Sequence, residues 1–543
     1  MEVQIKEFSL ISPMIESTDV FQATETAIPP ASDRFGLSRR FTFIALLVSL
    51  ILIACTQDFR TVSSVNNSPA ESTVLQIWWD KGFTLEEDEA LQQVVSNWKK
   101  KSGNKIKLSF YNDDEITQKA QRALRAGTPP DILVSLIAER QLNPHLAWEG
   151  KLADVSDVIE PVLSFYPRAV LEAARFYNHV DKKRSYYAVP IHQATIQIFY
   201  WRDLLKQVGR RESDIPKDWD GFWEFWKQVQ HDLRKQQKKK IYGLGFPYSI
   251  GASDTYYWFE QILEAYDVQI LDAKGQLRVN DPKVRQGITN SLDWYAKFYQ
   301  QGYVPPEAMN WLNPDNNRNL LNRVVVMTPN PTLSIPNTVR QDSDTYHNKL
   351  GILEFPNKPN GKPMRYLVTI KEAVLFAESK NQKQAKDFLA YLIQPEVIGG
   401  YLKAAGGRHL PVHKLVWQDP FWTDPRDPYI STVAKTLIKG QTRLFYTAQN
   451  PAYSIVLEEN IWGKALNRIV VDGISPAQAT DEAIDQIKQI FAQWQWARAN
   501  ITRKNYCSWY IFRLVLLLMA GWILPVRSPN LGYLFNFHRI KKT

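Results

Sequence analysis

Apolar positions from Leu75 onward alternate between short runs and longer stretches with a helical spacing of apolar residues. Short apolar runs predict strands, and the longer amphipathic stretches predict helices. We therefore expect strands at 75–79, 106–111 and 131–134, with helices at 86–101 and 115–125 between them. This order of strands and helices predicts an α/β fold with a parallel sheet and right-handed crossovers.

The ends of these predicted strands carry the first candidate ligand-binding residues. Ligands of parallel sheets bind beyond the carboxyl ends of the strands, where the strand order reverses. Applied to the first three strands, this rule selects Trp78, Trp79, Asp80, Tyr111, Asp113, Asp114 and Ser135. Because neighbouring residues of a strand point to opposite faces, we expect one of the two tryptophans to be in the core.

The N-terminal part of the chain has the pattern of an export signal. Arg39 and Arg40 precede an apolar run at 41–54, which ends at Cys55. A basic head, a short apolar stretch and small residues before a cleavage site are typical of secretory signals. We interpret 1–36 as a leader or the product of a start codon set too far upstream, and 37–55 as the signal segment. The Ser-, Asn- and Thr-rich stretch at 56–73 predicts a flexible stalk.

Cys55 is the candidate for attachment to the membrane. The segment Leu52-Ile53-Ala54-Cys55 resembles the lipobox of bacterial lipoproteins, in which the cysteine is acylated and becomes the first residue of the mature protein. The resemblance implies a lipid anchor, and two or more acyl chains hold a protein stably on a membrane. The alternative is a buried thiol in an uncleaved helix, although a run of about 14 residues is short of the ~20 that span a bilayer.

A second apolar segment lies at 509–526, within a C-terminal tail at 498–543. It is apolar except for Arg513, and basic residues flank it on both sides. Its length is at the short limit for crossing a bilayer. We interpret it as a second membrane segment or a remnant of a fused permease, and the alternative is a tail produced by a frameshift.

Composition and charge exclude several classes of protein. The 543 residues are 44% apolar and 22% charged, which is typical of a globular chain with more than one core. The formal charge of +10 does not predict nucleic-acid binding, because the densest basic run, 234–240, has no interleaved aromatic residues for base stacking. Two cysteines provide neither a disulfide framework nor a cysteine metal site, and we expect no cofactor.

Several motifs then carry a family resemblance. They are Ala126-Gly127-Thr128-Pro129-Pro130-Asp131-Ile132, Tyr187-Ala188-Val189-Pro190 with the strand and helix at 198–205, the helix start at 216–222, and the segments at 385–396, 406–412 and 473–479. Together and in this order they resemble the family 1 extracellular solute-binding proteins, the group that contains maltose- and oligosaccharide-binding proteins. Two departures are Asn330-Pro331, where a Gly-rich turn is expected, and the tail beyond Trp496.

The resemblance implies a two-lobed periplasmic-binding-protein-like fold at 74–497, with crossover segments that act as a hinge. It also implies the role of the binding lipoprotein of an ABC importer. Such a protein captures a small polar solute at the extracytoplasmic (periplasmic) face of the cell membrane and delivers it to the permease subunits. We expect a monomer that is not an enzyme.

Sugar rings offer apolar C–H faces and polar rims, so a sugar site needs aromatic rings together with carboxylates, amides or guanidinium groups. The chain has 18 tryptophans, which favours a mono- or oligosaccharide. In the second lobe the candidate aromatics are Trp258, at the start of a predicted helix, and Trp311, in an irregular stretch. The full set of predicted ligand-binding residues is Trp78, Trp79, Asp80, Asp113, Asp131, His192, Trp258, Trp311 and Arg365.

Other solutes and another class of protein remain open. A polyamine, a sugar phosphate or iron are alternative solutes, and iron would use the tyrosine pairs at 186–187 and 256–257. An extracytoplasmic carbohydrate-active enzyme is the alternative of another class, because the carboxylate pairs at 113–114 and 458–459 could serve glycoside hydrolysis. Adjacent residues of a strand or a helix point apart, however, and this does not favour an enzyme.

Overall fold

The first helix shows how local sequence signals build this chain. The computed structural model describes residues 74–237 and 240–494, which belong to one compact unit of the chain that starts at Glu71. Helix α1, Leu85–Ser102, starts with a capping box between Thr84 and Glu87. It ends at Gly103, whose φ of 71° is readily adopted only by glycine. The predicted helix at 86–101 is thus confirmed to within one residue at each end.

The structure contains the following strands. They are β1 Leu75–Asp80, β2 Ile106–Tyr111, β3 Ile132–Ser135, β4 Arg175–Asn178, β5 Lys183–Tyr186, β6 Val189–Thr195, β7 Gln197–Trp201, β8 Tyr242–Leu244, β9 Val325–Asn330, β10 Leu350–Leu353, β11 Tyr366–Leu375, β12 Leu410–Pro411 and β13 Thr442–Leu444.

The α-helices that follow α1 are α2 Asp113–Arg125, α3 Ala138–Gln141, α4 Asn143–Trp148, α5 Ser156–Ile159, α6 Arg168–Ala173, α7 Arg202–Gln207, α8 Trp219–Gln237, α9 Ser253–Ala265, α10 Pro282–Gln300, α11 Asp315–Leu321, α12 Ser334–Val339, α13 Gln382–Leu392, α14 Pro395–Ala404, α15 Pro428–Lys439, α16 Tyr453–Glu458 and α17 Ile461–Val470. A last helix, α18, covers 476–494 of the described residues. Within the described ranges, no helix is long and apolar enough to cross a membrane.

Two sheets form the two lobes of the body. The first lobe has a seven-stranded sheet in the order β12-β6-β11-β3-β1-β2, with β13 paired to β11. Strand β1 is parallel to both β2 and β3, which confirms the predicted parallel β-α-β-α-β unit. Strand β6 is antiparallel to both of its neighbours, whereas β11 is antiparallel to β6 and β3 but parallel to β13, so the complete sheet is mixed. The second lobe has a four-stranded sheet in the order β10-β7-β9-β8.

Short crossover segments join the lobes. Only Ile196 separates β6, in the first sheet, from β7, in the second. The chain returns to the first lobe between β10 and β11, through 354–365, and leaves it again after β13. Neighbouring strands of two different sheets, joined by so few residues, are typical of a hinge that absorbs rotation of one lobe against the other.

Several predictions fall outside the described residues. The leader at 1–36, the signal segment at 37–55 with Cys55, the stalk at 56–73 and the tail at 498–543 all lie there. The basic run is described except for residues 238 and 239. Within it, Arg234 donates from Nε to the carbonyl of Ile241 at 2.7 Å and lies over the ring of Tyr242.

Candidate ligand-binding cleft

Three neighbouring cavities lie between the lobes, with volumes of about 370, 50 and 500 Å³. Asp113 lines all three of them. The first-lobe side is formed at the carboxyl ends of β1, β2 and β3, as the strand-order rule predicts. The second-lobe side is formed by the start of α9, the segment before α11 and the end of β9. The lining also includes Phe83, Leu136, Ile137, Arg140, Ser253, Asp254, Tyr256, Tyr257, Asn313, Asn317, Thr369, Arg408 and Glu458.

Asp80 organises the floor of the cleft without lining it. Its Oδ2 accepts a hydrogen bond from the backbone N–H of Leu136 at 2.9 Å, which ties the end of β1 to the turn after β3. Its Oδ1 forms an ion pair with the ammonium group of Lys371 on β11. Strands β1, β3 and β11 are therefore joined at the edge of the sheet where a ligand would bind.

Asp113 brings a second carboxyl group to this floor. It is the first residue of α2, directly after β2 and Asn112. Burial and the neighbouring Asp80 raise the pKa of the Asp113 carboxyl to about 8, and its hydrogen bond with Asp80 contributes to the shift. Lys371 and Arg408 oppose that shift, since nearby positive charges favour the carboxylate. Near neutral pH the Asp113 carboxyl consequently retains a proton.

Arg140 joins the two lobes at the base of the cleft. Its Nε donates to the hydroxyl of Tyr256 on α9 at 2.9 Å, and its Nη1 donates to Thr369 Oγ1 at 3.0 Å. Its guanidinium group also lies 5.3 Å from the ring centroid of Tyr257. Glu139 pairs with the same guanidinium at 2.8 Å, while burial raises the pKa of the Glu139 carboxyl.

The second-lobe wall is a network of amides and hydroxyls. Asn313 Oδ1 accepts from Ser253 Oγ at 3.2 Å and from the backbone N–H of Asp254 at 3.0 Å, so it holds the first turn of α9. Asn330 and Asn317 each donate to Ser334 Oγ at 3.0 Å. This wall can form several hydrogen bonds with a polar ligand.

The nine sequence-predicted ligand residues are distributed unevenly in the structure. Asp113 alone among them lines the three cavities. Trp79 is 2% exposed and packs edge-on against the ring of Tyr401, while Trp78 is half-buried against the ring of Tyr111, 5.0 Å away. The strand alternation that predicts one core tryptophan agrees with this arrangement. Asp80 affects the site indirectly, because its charge raises the pKa of Asp113.

Asp131 and His192 both lie away from the cavities. Asp131 precedes β3 and so lies at the amino end of that strand, the opposite edge of the sheet from the ligand site. There its carboxylate accepts from the backbone of Gln76 at 2.7 Å and from Asn381 at 3.0 Å. His192 is fully buried within β6 and stacks on His409, with ring centroids 3.9 Å apart.

The three second-lobe and crossover candidates also lie outside the cavities. Trp258 and Trp311 are buried in the hydrophobic core, where Trp258 packs 5.2 Å from Phe246. Arg365 forms a bidentate ion pair with Glu264, at 3.1 and 2.7 Å, and lines a separate cavity of about 660 Å³. Burial in the core and pairing inside the protein leave these side chains no direct access to a ligand in the cleft.

Residues that suggested iron binding or glycoside hydrolysis also have partners within the protein. The hydroxyl of Tyr256 accepts from Arg140, and the hydroxyl of Tyr257 donates to the carbonyl of Leu367 at 3.2 Å. Glu458 accepts a hydrogen bond from Gln121 of the first lobe at 2.7 Å, across the mouth of the cleft. The geometry thus gives these tyrosines and this carboxylate a part in holding the lobes together.

Among the residues that line the cleft, sequence reasoning missed Phe83, Arg140 and Arg408, and it named Tyr256 only as a candidate iron ligand. Phe83 had a usable signal, because an aromatic residue in a loop directly after a strand end is placed at the ligand edge of a parallel sheet. Arg408 lies in the 406–412 turn that carried part of the resemblance. Arg140 and Tyr256 stand in helices whose local pattern does not reveal which face meets the other lobe.

Comparisons with known proteins agree with this architecture. The model of the bacterial extracellular solute-binding protein family matches residues 93–428. The chain is 23% identical to the galactooligosaccharide-binding protein of Bacillus subtilis, over 81% of this chain and 94% of that protein. It is 21% identical to the multiple sugar-binding protein of Streptococcus mutans, over 73% and 92% of the two chains.

A solved structure shows the same fold. The crystal structure of an ABC transporter solute-binding protein from Thermotoga lettingae with bound α-D-tagatose superposes with a TM-score of 0.64 at 20% identity. The superposition covers 77% of this chain and all of that one. The predicted two-lobed α/β fold is confirmed by this likeness. The family match covers more than half of the sequence, so this chain belongs to the bacterial extracellular solute-binding protein family.

Proposed function

We propose that this protein binds a mono- or oligosaccharide between its two lobes and delivers it to the permease of an ABC importer. The observation that carries the proposal is the cleft itself. It lies at the carboxyl ends of the first-lobe strands, and carboxyl, amide, hydroxyl and guanidinium groups from both lobes line it. A ligand that touches both walls stabilises the closed arrangement of the lobes, because only that arrangement offers it all of these contacts.

The lining suits a sugar better than an apolar solute. Asn313, Asn317 and Thr369 provide hydrogen-bonding groups for ring hydroxyls, and Phe83 adds an aromatic face for ring C–H groups. The names of the two relatives, a galactooligosaccharide-binding and a multiple sugar-binding protein, support the same class of solute. A ligand of about 20 heavy atoms at about 0.4 kcal/mol per atom reaches roughly micromolar affinity, which suits capture and release.

The family indicates a location outside the cytoplasm, since its members are extracellular solute-binding proteins. The finer proposal is a lipid anchor on Cys55, with the body as a monomer at the outer face of the cell membrane. The lipobox-like segment Leu52-Ile53-Ala54-Cys55 supports it. Replacement of Cys55 by serine should abolish incorporation of a labelled fatty acid, and labelling that persists in the Cys55→Ser protein would contradict the anchor.

A thermal-shift screen tests the binding function. The candidates are mono- and oligosaccharides, polyamines, glycerol phosphates and ferric iron, which cover the alternative solutes. A ligand at 100 times its dissociation constant adds about 2.7 kcal/mol to the free energy of unfolding, enough for a clear shift of the midpoint. A shift with one class of sugar supports the proposal. A shift with ferric iron or a glycerol phosphate alone would contradict it.

An incubation assay with the sugars that the screen identifies distinguishes a binding protein from an enzyme. We propose that bound sugars leave the cleft unchanged, because the relatives are binding proteins and the Glu458 carboxylate is hydrogen-bonded to Gln121. Any glycoside that shifts the midpoint should therefore be recovered intact after prolonged incubation. Release of a reducing sugar at a rate proportional to protein concentration would contradict this part of the proposal.

A further inference from the structure

Two acidic groups meet at the floor of the cleft. Asp113 lines all three cavities, and Asp80 lies close enough to raise the pKa of the Asp113 carboxyl group. Two ionised carboxylates this close would repel each other, so Asp113 keeps its proton unless an opposite charge nearby relieves that repulsion. A positive charge that entered the cleft beside Asp113 would relieve that repulsion. The same cavities also carry the carboxyl groups of Glu115, Asp254 and Glu458.

The protein itself does not supply that charge to Asp113. Lys371 pairs with Asp80, and Arg408 Nη1 pairs with Glu87 Oε2 at 2.9 Å. Within residues 74–237 and 240–494, no lysine or arginine nitrogen comes within the 4.0 Å of an ion pair with Asp113. The three carboxyl groups thus face two cations, and Asp113 is the one left over.

Two further polar atoms beside the cavity lack partners. Arg408 is 9% exposed, and its Nε has no hydrogen-bond acceptor among the described residues. Asn317 is 4% exposed, and its Oδ1 has no donor in the same part of the chain. Both residues line the narrow cavity that Asp113 also lines. Buried polar groups without partners are costly, so a ligand that satisfies them gains affinity.

We propose that the solute is an amino sugar or amino-substituted sugar alcohol, whose primary ammonium group pairs with Asp113. A neighbouring hydroxyl oxygen of the same molecule accepts from Arg408 Nε, and a hydroxyl group donates to Asn317 Oδ1. A polyamine has the ammonium groups but no oxygen for Arg408. The inference rests on the proposed sugar-binding function and names the class of sugar.

Binding of an ammonium group should change the protonation of the Asp113 carboxyl group. The raised pKa of Asp113 means that its carboxyl group holds a proton near neutral pH, and an ammonium ion would displace it. The charged groups that face Asp113 are Asp80, Lys371 and Arg408. Binding of an ammonium ligand should therefore release a proton to the buffer. A neutral sugar should bind without that release.

Titration calorimetry of the full chain in detergent tests the proposal. The sugar probes are glucosamine, glucose and N-acetylglucosamine, together with the matching galactose series. Within each series the three sugars differ only in the group on one carbon. Putrescine is the polyamine probe. We expect one amine to bind at least tenfold more tightly than its hydroxyl and acetamido counterparts. The measured enthalpy should vary with the ionisation enthalpy of the buffer, and Asp113→Asn should abolish the preference. Asp485→Asn, which removes an exposed carboxylate outside the cleft, should retain it.

Each result has one meaning. If neutral sugars bind as tightly as the amines, or if the Asp113→Asn protein retains the preference, the amino-sugar inference is wrong and the sugar-binding function stands. If putrescine binds as tightly as the amino sugars, the role of the hydroxyl groups at Arg408 and Asn317 is wrong. If no sugar of either kind binds while another solute class does, the proposed function fails, and the inference fails with it.

Discussion

At the scale of single residues, the stacked imidazoles of His192 and His409 should make the protein sensitive to acid. Burial lowers the pKa of both rings well below the usual value, with Lys371 and Arg408 adding to the effect at His192. The folded protein therefore keeps these rings neutral while the unfolded chain protonates them below about pH 6.5. Their contribution to stability is present above that pH and is lost as the pH falls below it, by about 1.4 kcal/mol per pH unit for each proton.

Replacement of His192 by leucine should remove one of these protons. We expect the free energy of unfolding of the His192→Leu protein to fall less steeply than that of the wild type between about pH 6.5 and pH 5. Urea unfolding at several pH values measures this slope independently of any loss of packing. The exposed His231 provides the control, and His231→Leu should retain the wild-type slope. Parallel profiles for wild type and His192→Leu would contradict the prediction.

Replacement of Trp258 by alanine tests whether this residue stabilises the core or contacts the ligand. Its ring is 1% exposed and packs 5.3 Å from Phe355. We expect Trp258→Ala to lose about 3 to 5 kcal/mol of stability, as large core truncations do. The increase in midpoint caused by a bound sugar should be retained. Trp78→Ala, at a half-buried position, should cost less. Normal stability with lost binding in Trp258→Ala would contradict the core role.

The burial of these tryptophans marks a limit of sequence reasoning at the residue scale. Strand alternation correctly predicts that one of Trp78 and Trp79 is in the core. For Trp258 and Trp311 no local pattern helps, because their burial depends on helices and strands far away in sequence. Arg365 and Asp131 were predicted from charge and position, and the structure pairs them with Glu264 and Asn381, which lie about 100 and 250 residues away.

At the scale of elements, the start of α1 links helix capping to the cleft. Glu87 Oε1 accepts from the backbone N–H of Phe83 at 3.1 Å and of Thr84 at 3.3 Å, while Oε2 accepts from Arg408. Glu87 thus caps α1 and holds Phe83 and Arg408, which both line the cleft. The Glu87 side chain therefore stabilises both the start of α1 and the position of these two cleft residues.

We expect Glu87→Gln to destabilise the protein by about 3 kcal/mol, because it leaves the buried charge of Arg408 without its partner. Ligand affinity should fall as well, since Phe83 and Arg408 lose their support. Chemical unfolding and calorimetry with a bound sugar measure the two effects. Glu86→Gln, at an exposed position of the same helical turn, is the matched control and should change neither. An unaltered affinity in Glu87→Gln would show that the two cleft residues are held by other contacts.

The first five elements were predictable to within two residues at either end. Their apolar periodicity and their breakers, Gly103, Gly127 and Pro129, are local signals that act over a few residues. Strand β11 was not predictable in the same way. It comes more than 200 residues after β3 along the chain, yet it lies between β6 and β3 and is antiparallel to both. Ten consecutive buried positions show that it is a central strand but not which partners it has.

At the scale of the whole molecule, the contact between Arg140 and Tyr256 should set the balance between open and closed lobes. Removal of the Tyr256 hydroxyl leaves Arg140 Nε without its acceptor in the closed arrangement, whereas water can satisfy the same group when the lobes separate. Hydrogen bonds to charged groups contribute about 1.5 to 3 kcal/mol. Tyr256→Phe should therefore shift the ratio of open to closed molecules by roughly tenfold or more.

Small-angle X-ray scattering should detect this shift as a larger radius of gyration of the Tyr256→Phe protein than of the wild type, before any sugar is added. The apparent dissociation constant for sugar should rise in proportion to the fall in the closed fraction, because only closed molecules are competent to bind. Tyr299→Phe removes a hydroxyl whose acceptor, the carbonyl of Pro306, lies within the second lobe, and should leave both quantities unchanged. A weaker affinity with an unchanged radius would instead indicate that Tyr256 contacts the sugar directly, and closure would then depend on other contacts between the lobes.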